Sequence, residues 1–187
     1  MALVCDSTAL VALGAVGSIG LLRHVDQVVF ITPWIKKREL RRFSTQIDAA
    51  VSEGWLRVQE PSNTEVHALI EAASGFFDLD RGEAEALIVA GYQTGLPTTI
   101  VIDEDEAFRF VEERLIGRRS ARRWRLVCLA EVLHELEARG AIPSAMSAMQ
   151  HLLDGGHYHW SPAAWAHYAR LCKQRGLSPV PRTARRS

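Results

Sequence analysis

Short apolar runs alternate along the chain with longer stretches in which apolar residues recur at helical spacing. The apolar runs predict strands at residues 3–5, 28–31, 55–58, 98–102 and 125–128. The stretches between them predict helices at residues 8–25, 34–53, 62–74, 82–93 and 104–116. Continuous apolar strands that alternate with helices are typical of a parallel sheet covered on both faces. We therefore expect an α/β fold with a central, mainly parallel sheet.

The C-terminal part continues with helical patterns only, at residues 129–139, 144–153 and 162–175. Pro143 and Pro162 stand where a first helical turn tolerates proline. The final stretch, "GLSPVPRTARRS", is rich in proline, arginine and serine, which is typical of a flexible basic tail. We therefore expect one domain over residues 1–176 with a helical C-terminal cap, followed by a tail over residues 177–187.

Composition excludes several classes of protein. The 187 residues carry 22 basic and 22 acidic side chains, so net charge by itself predicts neither a nucleic-acid coat nor a membrane surface. Three widely separated cysteines form neither a disulfide framework nor a zinc motif. No apolar run approaches the length of about 18 residues that a membrane span needs. Since strand-like sequence follows Met1 without a signal-peptide pattern, we expect a cytoplasmic protein.

Carboxylates follow two of the predicted strands directly. Asp6 ends the apolar run in "LVCDSTALVAL", and Asp103 ends "TTIVID". Parallel strands end at one edge of their sheet, where open α/β sheets bind ligands. Two carboxylates on that edge can share a hard cation such as Mg²⁺, and Asp105 could join them if the chain stays extended. As an alternative, Asp103 is a helix N-cap without chemistry.

Three further acids allow two interpretations each. Glu39 borders the apolar face of its predicted helix, so it faces either a site or the solvent among lysines and arginines. Glu83 and Glu85 diverge by roughly 200° on a helix, so at most one of them can be a metal ligand. Both acids could also simply favour the first turn through the helix dipole. His151, His157 and His159 lack a zinc-ligand spacing and are interpreted as turn and surface residues.

Four segments resemble, in order and spacing, those of PIN-domain ribonucleases: "VCDSTALVAL", "ITPWIKKREL", "LDRGEAEALIVA" and "TTIVIDE". The later segments "EARGAI" and "HLLDGGHYHWSPAAWAHYARL" resemble a prokaryotic PIN subfamily that ends in a glycine-aromatic turn and a closing helix. This resemblance covers residues 2 to 175. It implies a three-layer α/β/α sandwich with an acidic pocket that holds Mg²⁺ or Mn²⁺.

The resemblance also implies roles for individual residues. Asp6, Glu39, Glu83 and Asp103 would form the catalytic acidic set, with Asp6, Glu83 and Asp103 as metal ligands. Glu85 would replace Glu83 if the helix register differs, and Asp105 is a further possible ligand. Ser7 or Thr8 would supply a hydroxyl that braces Asp6. The metal would activate a water molecule for cleavage of RNA.

One segment departs from the subfamily. Where its members carry a short Gly/Thr turn, this chain has "RLIGRRSARRWRLVCLAEVL". Arginines contact phosphates and an aromatic ring can stack on an unpaired base. RNA contacts are therefore assigned to Arg118, Arg119, Arg122, Arg123 and Trp124. As alternatives, the segment is a solvated helix face or contacts an acidic protein.

The leading hypothesis is a metal-dependent endoribonuclease, the toxin of a toxin–antitoxin pair, with RNA, an antitoxin protein and a second copy of itself as partners. The alternative is a PIN-like module that binds RNA or protein without cutting. A haloacid-dehalogenase-like phosphatase would need an aspartate at position 8, where Thr8 stands. A P-loop or Rossmann protein would need a glycine-rich turn in place of "DSTAL". No membrane partner is expected.

Overall fold

A computed structural model describes residues 2–25, 28–93, 95–115 and 124–184. Its strands, in chain order, are β1 (Ala2–Cys5), β2 (Val28–Ile31), β3 (Leu56–Val58), β4 (Thr98–Val101) and β5 (Trp124–Val127). Its α-helices are α1 (Ser7–Ala15), α2 (Ser44–Ser52), α3 (Asn63–Ala73), α4 (Arg81–Tyr92), α5 (Asp105–Phe110), α6 (Leu129–Ala138), α7 (Ala145–Asp154) and α8 (Pro162–Arg175).

The strands form one parallel sheet in the order β3-β2-β1-β4-β5, with every neighbouring pair parallel. Each strand lies within one residue of its predicted bounds at both ends. All four residues of the central strand β1 are buried. Since successive side chains of a strand point to opposite faces, both faces of the sheet are covered. The predicted α/β sandwich is confirmed, and the carboxyl ends of the strands meet at one edge.

Three predicted helices depart from a single α-helix. In the segment predicted over residues 104–116, α5 ends at Phe110 and a π-helical turn follows at Val111–Leu115. The pattern over residues 8–25 predicts one helix, but α1 ends at Ala15 and a 3-10 helix follows at Ile19–His24. Gly17 lies between them with a φ of 70°, a left-handed conformation that favours glycine and ends the helix.

The pattern over residues 34–53 likewise predicts one helix. This segment instead begins with a π-helical turn at Ile35–Glu39 and a 3-10 turn at Arg41–Phe43, before α2. The backbone N–H of Leu40 donates to the carbonyl of Ile35, five residues earlier. This wider turn allows both apolar side chains to be buried.

The C-terminal helices form the predicted cap: α7 packs against α6, and α8 packs against α5. Residues 177–179 of the predicted flexible tail are exposed, whereas residues 180–182 contact the domain. Val180 is buried, and its backbone N–H donates to the Tyr168 hydroxyl at 3.0 Å. The Trp160 indole N–H donates to the carbonyl of Pro181 at 3.1 Å. Burial of Val180 in the hydrophobic core, together with these two hydrogen bonds, holds this segment on the domain.

Two predictions from composition can be compared with the part of the chain that the structure describes. Cys5, Cys128 and Cys172 are free thiols, and all three are buried. The longest helix, α8, has 14 residues, and no described helix has the length and apolar character needed to cross a membrane.

Candidate active site

A cleft of about 710 Å³ opens at the carboxyl ends of the central strands. One wall consists of residues that follow β1 and β4, and another consists of the turn between α7 and α8. Among the described residues, seven acidic side chains line this acidic cleft: Asp6, Glu39, Asp78, Asp80, Glu83, Asp103 and Glu104. No lysine or arginine is among its described lining residues, so the cleft strongly favours cations.

Asp6 and Asp103 lie side by side at the floor of the cleft. Asp6 is 2% exposed, and its Oδ2 accepts a hydrogen bond from the backbone N–H of Asp103 at 3.2 Å. Its Oδ1 caps α1 by accepting from the N–H of Ala9 at 3.5 Å. Asp103 is 1% exposed and accepts from the N–H of Leu129 at 3.2 Å. The structure therefore brings together the two carboxylates that follow adjacent strands.

Burial disfavours the charged form of both aspartates. It raises the pKa of Asp6 well above the ordinary value, and the nearby Asp103 charge raises it further. It also raises the pKa of Asp103 to about 7, although hydrogen bonds from Tyr158 and Leu129 act in the opposite direction. A cation between the two carboxylates would relieve this cost.

Glu83 lies on the cleft wall and also has a local structural role. Its Oε2 accepts from the backbone N–H of Asp80 at 2.8 Å, while Asp80 Oδ1 accepts from the N–H of Glu83 at 2.8 Å. These two bonds form a capping box at the start of α4. Burial raises the pKa of Glu83 to about 8. Glu83 therefore both caps the start of α4 and lines the acidic cleft.

Glu85 lies on the other side of α4 and does not line the acidic cleft. Its side chain is buried, and Oε1 accepts from Arg81 Nε at 2.9 Å. The divergence expected for two residues on a helix is observed, and the structure brings Glu83 rather than Glu85 to Asp6 and Asp103.

Glu39 reaches the cleft from the π-helical turn, where it is partly buried. Burial raises its pKa, while hydrogen bonds from the side chains of Ser7 and Trp34 lower it. Glu39 Oε1 lies against Gly82, the second residue of α4: a Cβ at this position would be 2.9 Å from the oxygen. The absence of a side chain at Gly82 therefore leaves room for the Glu39 carboxylate.

The hydroxyls of Ser7 and Thr8, one of which was predicted to brace Asp6, bond to other residues. Ser7 is hydrogen-bonded to Glu39, and Thr8 Oγ1 donates to Glu104 Oε1 at 2.8 Å, so neither braces Asp6. Asp6 caps α1 with its own carboxylate, and the two hydroxyls project from the first helical turn toward other walls.

Asp105 does not join the edge of the sheet. Its Oδ1 accepts from the backbone N–H of Ala163 at the start of α8, at 2.6 Å. The chain turns into α5 at Asp105, so the extended spacing that would have aligned it with Asp103 does not apply.

The predicted RNA contacts are only partly within the described residues. Arg118, Arg119, Arg122 and Arg123 lie outside the residues that the structure describes. Trp124 begins β5 and packs, partly buried, against the core.

Tyr158 is a site residue that sequence reasoning missed. It comes from the glycine-aromatic turn between α7 and α8, is 2% exposed, and donates its hydroxyl proton to Asp103 Oδ1 at 2.5 Å. His157 and His159 of the same turn also line the acidic cleft. The signal was the turn "GGHYHW" itself, since an aromatic hydroxyl after two glycines can enter a site from a neighbouring element.

These features define an α/β protein with an acidic cleft at the carboxyl ends of a parallel sheet. A family model described as a PIN domain matches residues 2–174, so the chain belongs to the PIN-domain family. PIN domains are typically nucleases and generally use divalent metals. No curated protein and no solved structure matches the chain.

The donor chemistry of the cleft fits a hard divalent cation. In the described part of the chain, no three His, Cys, Asp or Glu side chains converge as a preformed metal site. Mg²⁺ needs less, since it is usually bound by one or two carboxylates together with water and phosphate oxygens. Asp6 and Asp103 offer such a pair, and burial raises the pKa of both, so a cation bound between them would favour their charged forms.

Proposed function

We propose that this chain is a metal-dependent ribonuclease that hydrolyses phosphodiester bonds of RNA. The observation that carries the proposal is the pair Asp6 and Asp103, two buried acids at the floor of the acidic cleft, where the backbone N–H of Asp103 donates to the Asp6 carboxylate. Family membership supports the nuclease class. The buried acidic pair supports Mg²⁺ or Mn²⁺ as the cofactor.

In this mechanism Asp6 and Asp103 would hold the cation. When bound, the cation lowers the pKa of its water and stabilises charge on the phosphate. Glu39 and Glu83 offer carboxylate oxygens on the neighbouring walls, where they can orient a water molecule or accept its proton. Tyr158 holds Asp103 in place through its hydroxyl, and Leu129 does so through its backbone N–H.

We further propose that the protein is the toxin of a toxin–antitoxin pair. The acidic cleft, with no described lysine or arginine on its walls, would accept a basic side chain from an antitoxin protein. A homodimer is part of the same proposal. Its interface would need surfaces other than the apolar face of α1, because Leu10 and Leu13 are buried in the chain's own core.

The alternative function is binding without cleavage. The capping box favours it, since Glu83 is already engaged by the backbone N–H of Asp80. The buried pair of aspartates opposes it, because burial disfavours both charges although each carboxylate also accepts local hydrogen bonds, and a bound cation would offset that cost.

The test compares two isosteric substitutions two residues apart, Asp103→Asn and Asp105→Asn. Each protein is incubated with a pool of single-stranded RNA and Mn²⁺, beside an EDTA control. We expect cleavage by the wild type and by Asp105→Asn, because Asp105 faces α8. Asp103→Asn should lose at least about 100-fold, since even residues that only orient metal ligands are worth about 10–100-fold.

Two results would contradict the nuclease proposal. One is cleavage that survives in EDTA or in Asp103→Asn, which would mean a contaminating enzyme or a different site. The other is a wild type that binds Mn²⁺ in calorimetry no better than Asp103→Asn does, which would favour the binding module.

A further inference from the structure

A second cleft lies on the opposite side of the start of α4. It has a volume of about 180 Å³ and is lined by Pro33, Trp34, Lys37, Arg38, Glu60, Pro61, Asn63, Arg81 and Glu85. Its three cations, Lys37, Arg38 and Arg81, outnumber its two carboxylates, Glu60 and Glu85, so its net charge is positive. It therefore differs in sign from the acidic cleft, although both use the first turn of α4 as a wall.

The wall between the two clefts is one side chain thick. The Trp34 side chain hydrogen-bonds to Glu39, which lines the acidic cleft. The guanidinium carbons of Arg38 and Arg81 lie 5.2 Å and 5.0 Å from the centre of the same indole ring. A Cβ on Gly82 would meet Glu39 at 2.9 Å and Trp34 at 3.4 Å. The two clefts are therefore neighbours, with Trp34, Glu39 and Gly82 close together at their boundary.

The segment "KKRELRR", residues 36–42, separates its charges between the two sides. Its one acid, Glu39, lines the acidic cleft. Lys36 pairs with Asp48 at 2.6 Å. Lys37, Arg38, Arg41 and Arg42 are exposed, and among the described residues no carboxylate lies within ion-pair distance of them. We call Lys37 and Arg38, the two of these residues that line the second cleft, the basic surface.

Exposed cations beside a negatively charged site fit a polyanion that must enter that site. The acidic cleft repels RNA at long range, so the attraction has to come from neighbouring cations. The basic surface lies in the second cleft beside Glu60 and Glu85, but among the described residues no carboxylate is within ion-pair distance of its cations. A strand with one phosphate at Asp6 and Asp103 would continue over Trp34 onto it.

We propose that the basic surface binds the phosphate backbone of single-stranded RNA on one side of the bond that is cleaved. This inference rests on the proposed function, because it assigns a path to the same substrate. It differs from the arginine-rich segment over residues 114–125, which the sequence alone favours. An acidic protein is the competing occupant and is an outcome of the test.

The experiment measures binding without catalysis. Lys37→Gln/Arg38→Gln and the matched control Lys173→Gln/Arg175→Gln, two exposed cations on α8, are each made in the Asp103→Asn background. Fluorescence anisotropy with a labelled single-stranded RNA is recorded at several salt concentrations. We expect the first pair to weaken binding roughly tenfold and to reduce the salt slope by about 0.7 for each phosphate that the protein no longer neutralises. The control pair should match its parent.

The outcomes separate this inference from the proposed function. Failure of wild type to hydrolyse bis(4-nitrophenyl) phosphate or RNA with Mn²⁺ would contradict the nuclease proposal. It would not affect the binding measurement, which tests the basic surface separately. Equal RNA affinity and equal salt slopes for the two double variants would overturn the basic surface as an RNA site. Binding to polyglutamate that equals RNA binding and falls with it in Lys37→Gln/Arg38→Gln would overturn RNA in favour of an acidic protein.

Discussion

The acidic cleft and the basic surface lie on either side of the first turn of α4, and they differ in the sign and in the burial of their charges. The carboxylates of Asp6, Glu83 and Asp103 are buried, and burial raises the pKa of each. The cations of the basic surface are exposed, so they remain hydrated at little cost. The difference indicates two tasks: the cleft gains from a cation that compensates its charge, whereas the exposed cations are available to a mobile polyanion.

Among the variants that compare the two sides of α4, the largest effect should come from changing one glutamate on either side. Glu83→Gln keeps an oxygen that can accept from the N–H of Asp80, yet removes charge from the acidic cleft. We expect its Mn²⁺ affinity in calorimetry to fall by about 10–100-fold. Glu85→Gln removes a charge that faces Arg81 instead, and its Mn²⁺ affinity should equal that of wild type. Equal losses in both variants would mean that the two sides of the helix are not electrically distinct.

A smaller effect is expected where the two clefts touch. Gly82→Ala places a Cβ 2.9 Å from Glu39 Oε1, so the Glu39 side chain must move. The matched control is Gly91→Ala, in the same helix, where a Cβ would meet nothing within 4 Å. Each substitution replaces a helical glycine with alanine and should raise the free energy of unfolding by at most about 1 kcal/mol. Strain between the new Cβ and Glu39 should reduce this gain in Gly82→Ala.

RNA cleavage should separate these two alanine variants. We expect about tenfold lower cleavage for Gly82→Ala, because a displaced Glu39 no longer holds its place in the cleft. Gly91→Ala should cleave like wild type while showing a higher melting temperature. If Gly82→Ala also retains full cleavage, Glu39 has no part in the reaction.

The smallest effect is a pH dependence of thermal stability in the metal-free chain. The pKa of Asp103 rises from 3.8 to about 7 and that of Glu83 from 4.5 to about 8. Raised pKa values mean that the folded chain releases these protons at higher pH than the unfolded chain does. Their contribution is therefore most favourable below about pH 4 and is lost as the pH rises toward about 8.

Differential scanning fluorimetry in EDTA measures this contribution as a difference between two proteins. In the variant Asp103→Asn/Glu83→Gln, the melting temperature should fall less between pH 5 and pH 8 than in wild type. The difference should be several degrees, since about 1 kcal/mol shifts the melting temperature of a chain this size by roughly 2–4 °C. Added Mn²⁺ should reduce the loss in wild type alone. A wild type whose stability rises more steeply than that of the variant would contradict the pKa directions.

The strands and the two aspartates that follow them could be predicted from the sequence. An apolar run such as residues 98–102 is a local signal, and a parallel sheet brings all its strand ends to one edge. Asp6 and Asp103 could therefore be placed together before any contact was known. The prediction for Asp105 failed because it assumed extended backbone where α5 begins.

The remaining walls of the cleft depend on contacts between residues far apart in the chain. Tyr158 meets Asp103 across 55 residues, and the turn that carries Tyr158 does not indicate locally which residue the hydroxyl will contact. Glu39 and Gly82 come from different elements, and their fit requires the π-helical turn that lets Ile35 and Leu40 both be buried.

By itself the sequence determined that a parallel sheet forms, which elements follow one another along the chain, and that carboxylates lie at two strand ends. These features follow from periodicity and strand length, which are local properties. Only the tertiary structure decided that Glu83 rather than Glu85 faces Asp6, and that Ser7 is bonded to Glu39. It alone placed Lys37 and Arg38 in a cleft that borders the acidic cleft at the first turn of α4. These outcomes follow from how helices pack on the sheet, which rotates one face of each helix toward the site and the other away from it.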